Sequence, residues 1–264
     1  MQKSTLLTVL ILILSTAITP VIAAESLSFA ASSTYGGKKV NLNGELHLPA
    51  TRIHKTSPVV ILLHGCGGLD GAVLKSLRSH ASALGRNGFA SLILDSFQPR
   101  GISGGWVCKR NSRLASARYY RQRDIIDAIT FISDNAALDK NNVFLMGQSN
   151  GGSTVASLTQ TQKHSNIRAV VSYYPWCGAV PLRPKLPLYV FAGEIDEWTP
   201  PENCISNRPS SRNLKVKVYP ETHHSFDLAI PIVNYQGHRL GGNPSATKDS
   251  RRRMIKFFKE HIKK

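Results

Sequence analysis

Apolar residues along the chain fall into short runs, separated by segments whose apolar positions recur every three to four residues. Val59-Val60-Ile61-Leu62-Leu63 is a continuous β-prone run, the pattern of a strand covered on both faces. Leu74, Leu77, Ala81 and Leu84 then share one helical face, with Asp70 placed to cap the helix and Gly85 and Gly88 marking its end. Residues 90–95 predict the next strand. Residues 117–135 predict a helix burying Ile125, Ile129 and Ile132. A strand over 143–146 leads into a helix from Asn150, and strands follow at 169–174, 188–192 and 214–219. The last helix is expected over 247–263, with Asp249 near its start and Ile255, Phe258 and Ile262 facing inward. Ahead of all these, residues 40–49 alternate apolar and polar side chains as an antiparallel strand does. Strands alternating with helices predict an α/β fold, a mostly parallel sheet with helices on both faces. The segment from 97 to about 115, polar and glycine-rich, is too long for an ordinary connection and is a candidate site-lining loop.

The first 23 residues follow another pattern. Lys3 precedes an apolar stretch from Leu6 to Leu14, and Val21-Ile22-Ala23-Ala24 supplies small residues for cleavage. The unbroken apolar run is about half the ~20 residues that a membrane span needs, and Pro20 follows it. This predicts a signal peptide and an exported protein, periplasmic or secreted. Cleavage after Ala23 would leave 241 of the 264 residues and, with Lys3 gone, lower the net charge from +17 to +16. No transmembrane segment is expected in the mature chain. With no linker in view, residues 24–264 are expected to form a single domain.

Export changes the reading of the four cysteines. An even count in an oxidising compartment predicts two disulfides, for which three connectivities exist. Cys66 and Cys108 follow the sequential strands at 59–63 and 90–95, while Cys177 and Cys204 follow those at 169–174 and 188–192. Sequential strands are usually neighbours, and a bridge needs Cα atoms within about 7 Å. The pairs Cys66–Cys108 and Cys177–Cys204 are therefore expected. No Cys/His spacing suits zinc, and neither a metal nor a cofactor is expected.

Candidate chemistry centres on Gly147-Gln148-Ser149-Asn150-Gly151-Gly152. It matches Gly-x-Ser-x-Gly, the turn that lifts a serine hydroxyl above a sheet between a strand and a helix. Gly101-Ile102-Ser103-Gly104-Gly105 matches as well, but no strand runs directly into Ser103 and no helix signal follows it. Ser149 is therefore the candidate nucleophile. A serine nucleophile needs a base and an acid that orients the base. Asp196 follows the strand at 188–192 and is the candidate acid, with Glu194 and Glu197 as neighbouring alternatives. His223 and His224 follow the strand at 214–219, and spacing alone does not choose between them. The Asn150 backbone N–H, next after the nucleophile, is a candidate oxyanion donor, and a second is expected from the loop after residues 59–63.

His64-Gly65-Cys66-Gly67-Gly68, Asp95-Ser96-Phe97, the Ser149 motif, Tyr174-Pro175, Gly193-x-x-Asp196 and His223-His224-Ser225-Phe226, in that order, resemble the dienelactone hydrolase family of α/β-hydrolases. The resemblance runs from about Val59 to the C-terminus. It implies an α/β-hydrolase fold and ester-type hydrolysis. Its His-x-Phe pattern assigns the base to His224, and the family position of the second oxyanion donor falls on Cys66. One departure is that dienelactone hydrolases proper carry a cysteine nucleophile where this chain has Ser149. Dienelactone as the substrate is therefore not implied.

Composition adds one unusual feature. Lys and Arg number 33 against 16 Asp and Glu, and Arg100, Lys109, Arg110, Arg113, Arg118, Arg121 and Arg123 cluster in and after the long loop. Such a cluster can hold a carboxylate or an anionic leaving group, although solvated surface is the plainer expectation for most of it. Arg251-Arg252-Arg253 are expected on the wet face of the last helix, where nonspecific contact with anionic surfaces is possible. The expected function is hydrolysis of a small-molecule ester or lactone by an exported serine hydrolase. Acyltransferase and peptidase chemistry share the same residues. The alternative is a non-catalytic exported protein that binds polyanions. Specific nucleic-acid binding is not expected.

Overall fold

The computed structural model describes residues 24–49, 55–161, 166–178, 182–206 and 211–263; the expected signal peptide lies outside them. Eight strands make the main sheet: β1 (Ala24–Tyr35), β2 (Lys38–His47), β3 (Ser57–Leu63), β4 (Ala90–Asp95), β5 (Leu138–Gln148), β6 (Ile167–Tyr173), β7 (Leu188–Gly193) and β8 (Leu214–Tyr219). Their spatial order is β1-β2-β4-β3-β5-β6-β7-β8. β1 pairs antiparallel with β2 and β2 with β4, and every other pairing is parallel. The helices are α1 (Gly71–Gly85), α2 (Asn111–Asp134), α3 (Asn150–Thr161), α4 (Glu202–Ile205) and α5 (Pro244–Glu260). A hairpin of β9 (Val233–Tyr235) and β10 (His238–Leu240) stands apart from the main sheet.

The period of two along a strand explains the two cores. In β3, Val59, Ile61 and Leu63 pack with Ile125, Ala128 and Ile132 of α2 and Val155 of α3. Val60 and Leu62 point the other way, into a cluster with Leu77 and Leu84 of α1 and Met254, Phe257 and Phe258 of α5. All seven β3 residues are buried, which is why the run is apolar without alternation. Burying each such aliphatic side chain contributes roughly 1.5–3 kcal/mol. The sheet's parallel part sends the carboxyl ends of β3, β5, β7 and β8 to one rim, where open α/β sheets place their ligands.

Several elements differ from the sequence expectation. β1 was not anticipated. It is an edge strand whose Leu27, Phe29 and Ala31 are only partly buried, and Phe29 stacks on Phe131 of α2 at 5.0 Å. α2 starts at Asn111, six residues before the expected 117, because its polar first turns hide the periodicity. The segment between β4 and α2 is correspondingly shorter than expected and holds two 3-10 turns, Gln98–Arg100 and Val107–Lys109. α5 starts at Pro244 rather than 247, with the Asn243 side chain accepting from the Ala246 N–H at 3.1 Å. Asparagine followed by proline is a recognised start signal. α4 and the β9–β10 hairpin are too short to leave a periodic trace. Among the described residues no helix is long and apolar enough to cross a membrane.

Both disulfides lie on the rim. Cys66 joins Cys108 with a Cα separation of 5.1 Å, and Cys177 joins Cys204 at 5.2 Å. They fasten the segment after β3 to the second 3-10 turn, and the segment after β6 to α4. Non-reducing peptide mapping is expected to return these two linkages, and a Cys66–Cys177 peptide would contradict the structure. Replacing Cys177 and Cys204 together by alanine is expected to lower the free energy of unfolding by about 2–4 kcal/mol in denaturant melts.

Candidate active site

Ser149 sits between β5 and α3 with φ of 51°, a left-handed conformation that is strained for a residue with a β-carbon. The surroundings enforce it. Its N–H donates to the Tyr173 carbonyl at 3.0 Å, and its carbonyl accepts the Ser153 N–H at 2.8 Å. The motif's glycines are needed for close approach. A β-carbon at Gly151 would lie 2.5 Å from the His64 carbonyl oxygen, and one at Gly152 would lie 2.8 Å from the Tyr173 oxygen. One at Gly147 would run into the Gly151 backbone. The start of α3 therefore packs directly on β3, β5 and β6 with the Ser149 hydroxyl clear of the sheet.

His224 lies beyond β8. Its backbone forms a parallel bridge with Leu240 of β10, and its carbonyl accepts the Gly241 N–H at 3.0 Å. Its ring lies between Tyr174 and Trp198, with centroid separations of 4.6 and 5.1 Å. Nε2 is 3.0 Å from Ser149 Oγ, and Nδ1 is 2.7 Å from Asp196 Oδ2. An ionised carboxylate only accepts, so Nδ1 carries the hydrogen and Nε2 turns its lone pair toward the hydroxyl.

Asp196, just past β7, is buried and well supplied with donors. Oδ1 accepts the N–H groups of Trp198 (3.0 Å) and Thr199 (2.8 Å), and Oδ2 accepts the Thr199 hydroxyl (2.9 Å). Burial alone would raise its pKa, but His224 and the Thr199 donors outweigh burial and hold the carboxyl below its ordinary value. The neighbouring carboxylates are elsewhere. Glu194 is exposed and accepts the Glu221 N–H, and Glu197 is exposed. The His223 ring faces the Ile195 carbonyl at 3.2 Å rather than Ser149. Ser103 is exposed, eight residues past the end of β4, between the 3-10 turns Gln98–Arg100 and Val107–Lys109.

The segment after β3 runs against the same point. A β-carbon on Gly65 would lie 3.3 Å from the Ser149 β-carbon. Asn150 is the first residue of α3, so its N–H belongs to the helix's unpaired donors. Two chambers meet at Ser149, and Cys66 lines both. One of about 180 Å³ is walled by Val73, Tyr174, Leu228, Ile230 and Leu240. The other, about 450 Å³, is walled by Leu114, Arg118, Trp176, Trp198 and His238. A cavity of about 700 Å³ between α1 and α5 touches none of Ser149, Asp196 and His224.

Five supporting residues were given no supporting role in the sequence reading. Thr199 donates its N–H to Asp196, and its one hydroxyl hydrogen is shared between Asp196 Oδ2 and the Tyr174 carbonyl. Tyr174 and Gln148, which flank the site, converge on the buried Asp227. Tyr174 OH donates to Oδ1 at 2.5 Å, while Gln148 Nε2 donates to Oδ2 at 2.7 Å, which also meets His80 Nε2 at 2.8 Å. Burial pulls the Asp227 pKa upward, but these donors prevail and hold it below its usual value. Burial pushes His80 down, which favours a neutral ring that donates through Nε2. A carboxylate three residues after His224 was the available clue.

The basic cluster divides. Lys109, Arg110 and Arg123 are exposed, as expected of a solvated face. Arg113 stacks on Trp106 at 3.8 Å. Arg100 and Arg121 depart from that expectation. Both are buried, and Arg100 makes a two-pronged pair with Asp124 at 2.7 and 3.0 Å.

The dienelactone hydrolase family model matches residues 44–262. The chain belongs to the dienelactone hydrolase family. Membership makes it a hydrolase by class. No curated protein matches the chain. Solved structures agree on the α/β-hydrolase fold. A dienelactone hydrolase from Anabaena variabilis superimposes with a TM-score of 0.62 at 18% identity, covering 90% of this chain and 99% of that one. A dienelactone hydrolase-like promiscuous phosphotriesterase from metagenomic libraries gives 0.67 at 18% identity, covering 91% and 100%. An esterase from Pyrococcus furiosus gives 0.63 at 13% identity, covering 92% and 94%. At such identities the likeness is one of fold, and the site rests on this chain's own side chains.

Proposed function

We propose that this protein is an exported, single-domain serine hydrolase that cleaves a small carboxylic ester or lactone through an acyl-enzyme on Ser149. The observation that carries the reading is the continuous hydrogen-bonded chain from Ser149 Oγ through the His224 ring to Asp196, with links of 3.0 and 2.7 Å. Ser149 Oγ attacks the carbonyl carbon while its proton passes to His224 Nε2. Asp196 holds the ring in the accepting tautomer and stabilises the imidazolium. The carbonyl oxygen becomes an oxyanion facing the N–H groups of Asn150 and Cys66. Collapse breaks the bond to the leaving oxygen, which takes the proton from Nε2. In a lactone that oxygen stays tethered to the acyl group. Water then repeats the sequence with His224 as base, releasing the acid and restoring Ser149. Export is supported by the pattern of residues 1–23 and by the two disulfides.

Purified protein is expected to hydrolyse p-nitrophenyl esters, and a fluorophosphonate is expected to label Ser149. Varying acyl length across the series measures the acyl size that the site accepts. Binding to heparin with neither hydrolysis nor labelling would replace this reading with the polyanion-binding one.

A further inference from the structure

Arg121 lies on the buried face of α2 and exposes none of its surface. A buried guanidinium is costly unless it is paired or fully hydrogen-bonded. Among the described residues it has no direct carboxylate partner, because Asp124 one turn along is engaged by Arg100. Its fork instead points at the two segments beside Ser149. Nη2 donates to the His64 carbonyl at 2.6 Å, and Nη1 donates to the Asn150 side-chain oxygen at 2.9 Å. The guanidinium lies 5.0 Å from the centre of the Phe97 ring.

Both contacts continue toward backbone donors. The Asn150 amide is gripped from the other side as well, since its Nδ2 donates to the Leu114 carbonyl at 3.0 Å. The His64 ring donates from Nδ1 to the Gly65 carbonyl at 2.7 Å, and that carbonyl shares a peptide group with the Cys66 N–H. Burial, reinforced by the Arg121 charge, keeps the His64 ring neutral, and the Gly65 carbonyl, which only accepts, places its one hydrogen on Nδ1.

We propose that Arg121 is a positioning residue for the oxyanion hole: one guanidinium clamps the segments carrying the Asn150 and Cys66 N–H groups, and its positive charge favours the negative charge that develops on the substrate oxygen. This rests on the hydrolase reading above. The charge persists at working pH, because burial lowers the Arg121 pKa only to about 10. Preorganised charge in a dry site costs no reorganisation during reaction, and single oxyanion donors are worth about 10²–10³ in rate. A group acting through those donors should be worth less, about 10–100-fold.

The test compares Arg121→Gln, Arg121→Lys and Asn150→Ala in the full protein, with folding checked by circular dichroism and melting temperature. In Arg121→Gln, kcat is expected to fall about 10–100-fold while KM stays within about threefold, the signature of an interaction made in the transition state. Affinity for a trifluoromethyl ketone, which forms an oxyanion adduct, is expected to fall in step with kcat, whereas affinity for the matching methyl ketone is unchanged. Arg121→Lys should recover part of the loss. A purely structural role would lower the melting temperature and leave kcat per folded molecule intact. A folded Arg121→Gln with kcat within about threefold of the parent, or with a change in KM alone, overturns the proposal. If that variant does not fold, Asn150→Ala decides, since it removes one arm of the clamp and leaves the cation in place; unchanged kcat there is equally fatal. Failure of the hydrolase reading looks different, because the parent protein itself would then neither turn over ester nor take the label.

Discussion

Ser149→Ala is expected to reduce kcat/KM for any ester substrate by about four orders of magnitude or more, with the melting temperature close to that of the parent. The residual rate would be what binding and the oxyanion donors supply without a nucleophile. The fold should persist because the strained turn is held by backbone contacts, Ser149 N–H to Tyr173 and Ser153 N–H to Ser149, rather than by the hydroxyl. Alanine also has the smallest side chain that keeps a β-carbon in place. Ser103→Ala is the matched control and should retain nearly full activity, since Ser103 is exposed and ends no strand. Steady-state kinetics on the two variants decide between the two Gly-x-Ser-x-Gly segments. Loss in Ser103→Ala with activity kept in Ser149→Ala would relocate the site.

Removing the histidine side chains one at a time should separate the pair almost as sharply. His224→Ala is expected to lose about 10⁴-fold in kcat, because among the described residues its ring is the one hydrogen-bonded to Ser149 Oγ and placed to accept its proton. His223→Ala should keep activity within about tenfold, since its ring contacts the Ile195 carbonyl and acts on the Asp196 loop only through the backbone. Asp196 links stability to pH. Its folded pKa is lowered, so its contribution to stability is present above the unfolded value of ~4 and disappears as the pH falls below that toward the folded value. Complete loss in His223→Ala alone would reverse the assignment.

The buried centre of the sheet was the most legible part of the chain. Strands covered on both faces, such as β3, must be apolar throughout, and the glycines after β5 are required by contacts of under 3 Å to neighbouring backbone. The edges were harder. β1 buries only part of one face, so its Leu27 and Phe29 are diluted among serines and alanines. The choice among Glu194, Asp196 and Glu197 also lay beyond spacing, because where each carboxylate points depends on the turn after β7, and that turn is set by Thr199 and Trp198. His223 and His224 differ by one residue and face different partners for the same reason. Resemblance, not periodicity, separated them. Arg121 was counted with a surface cluster by its charge. Its position nevertheless carried a signal, since it stands four residues after Ala117 and four before Ile125, both on the buried face of α2.

The bridge from Cys66 to Cys108 joins two residues of a small apolar cluster with Phe97, Val107 and Ala117, separate from the two that flank the sheet. The surroundings of Ser149 thus have a miniature interior of their own, too small to resist opening by burial alone. Units of this kind open at a lower free energy than the body they sit on. A covalent tie across it shifts that local equilibrium without adding to the main cores. The rigidity of the Ser149 surroundings and the stability of the scaffold are therefore set by different bonds, and selection can adjust one while leaving the other alone.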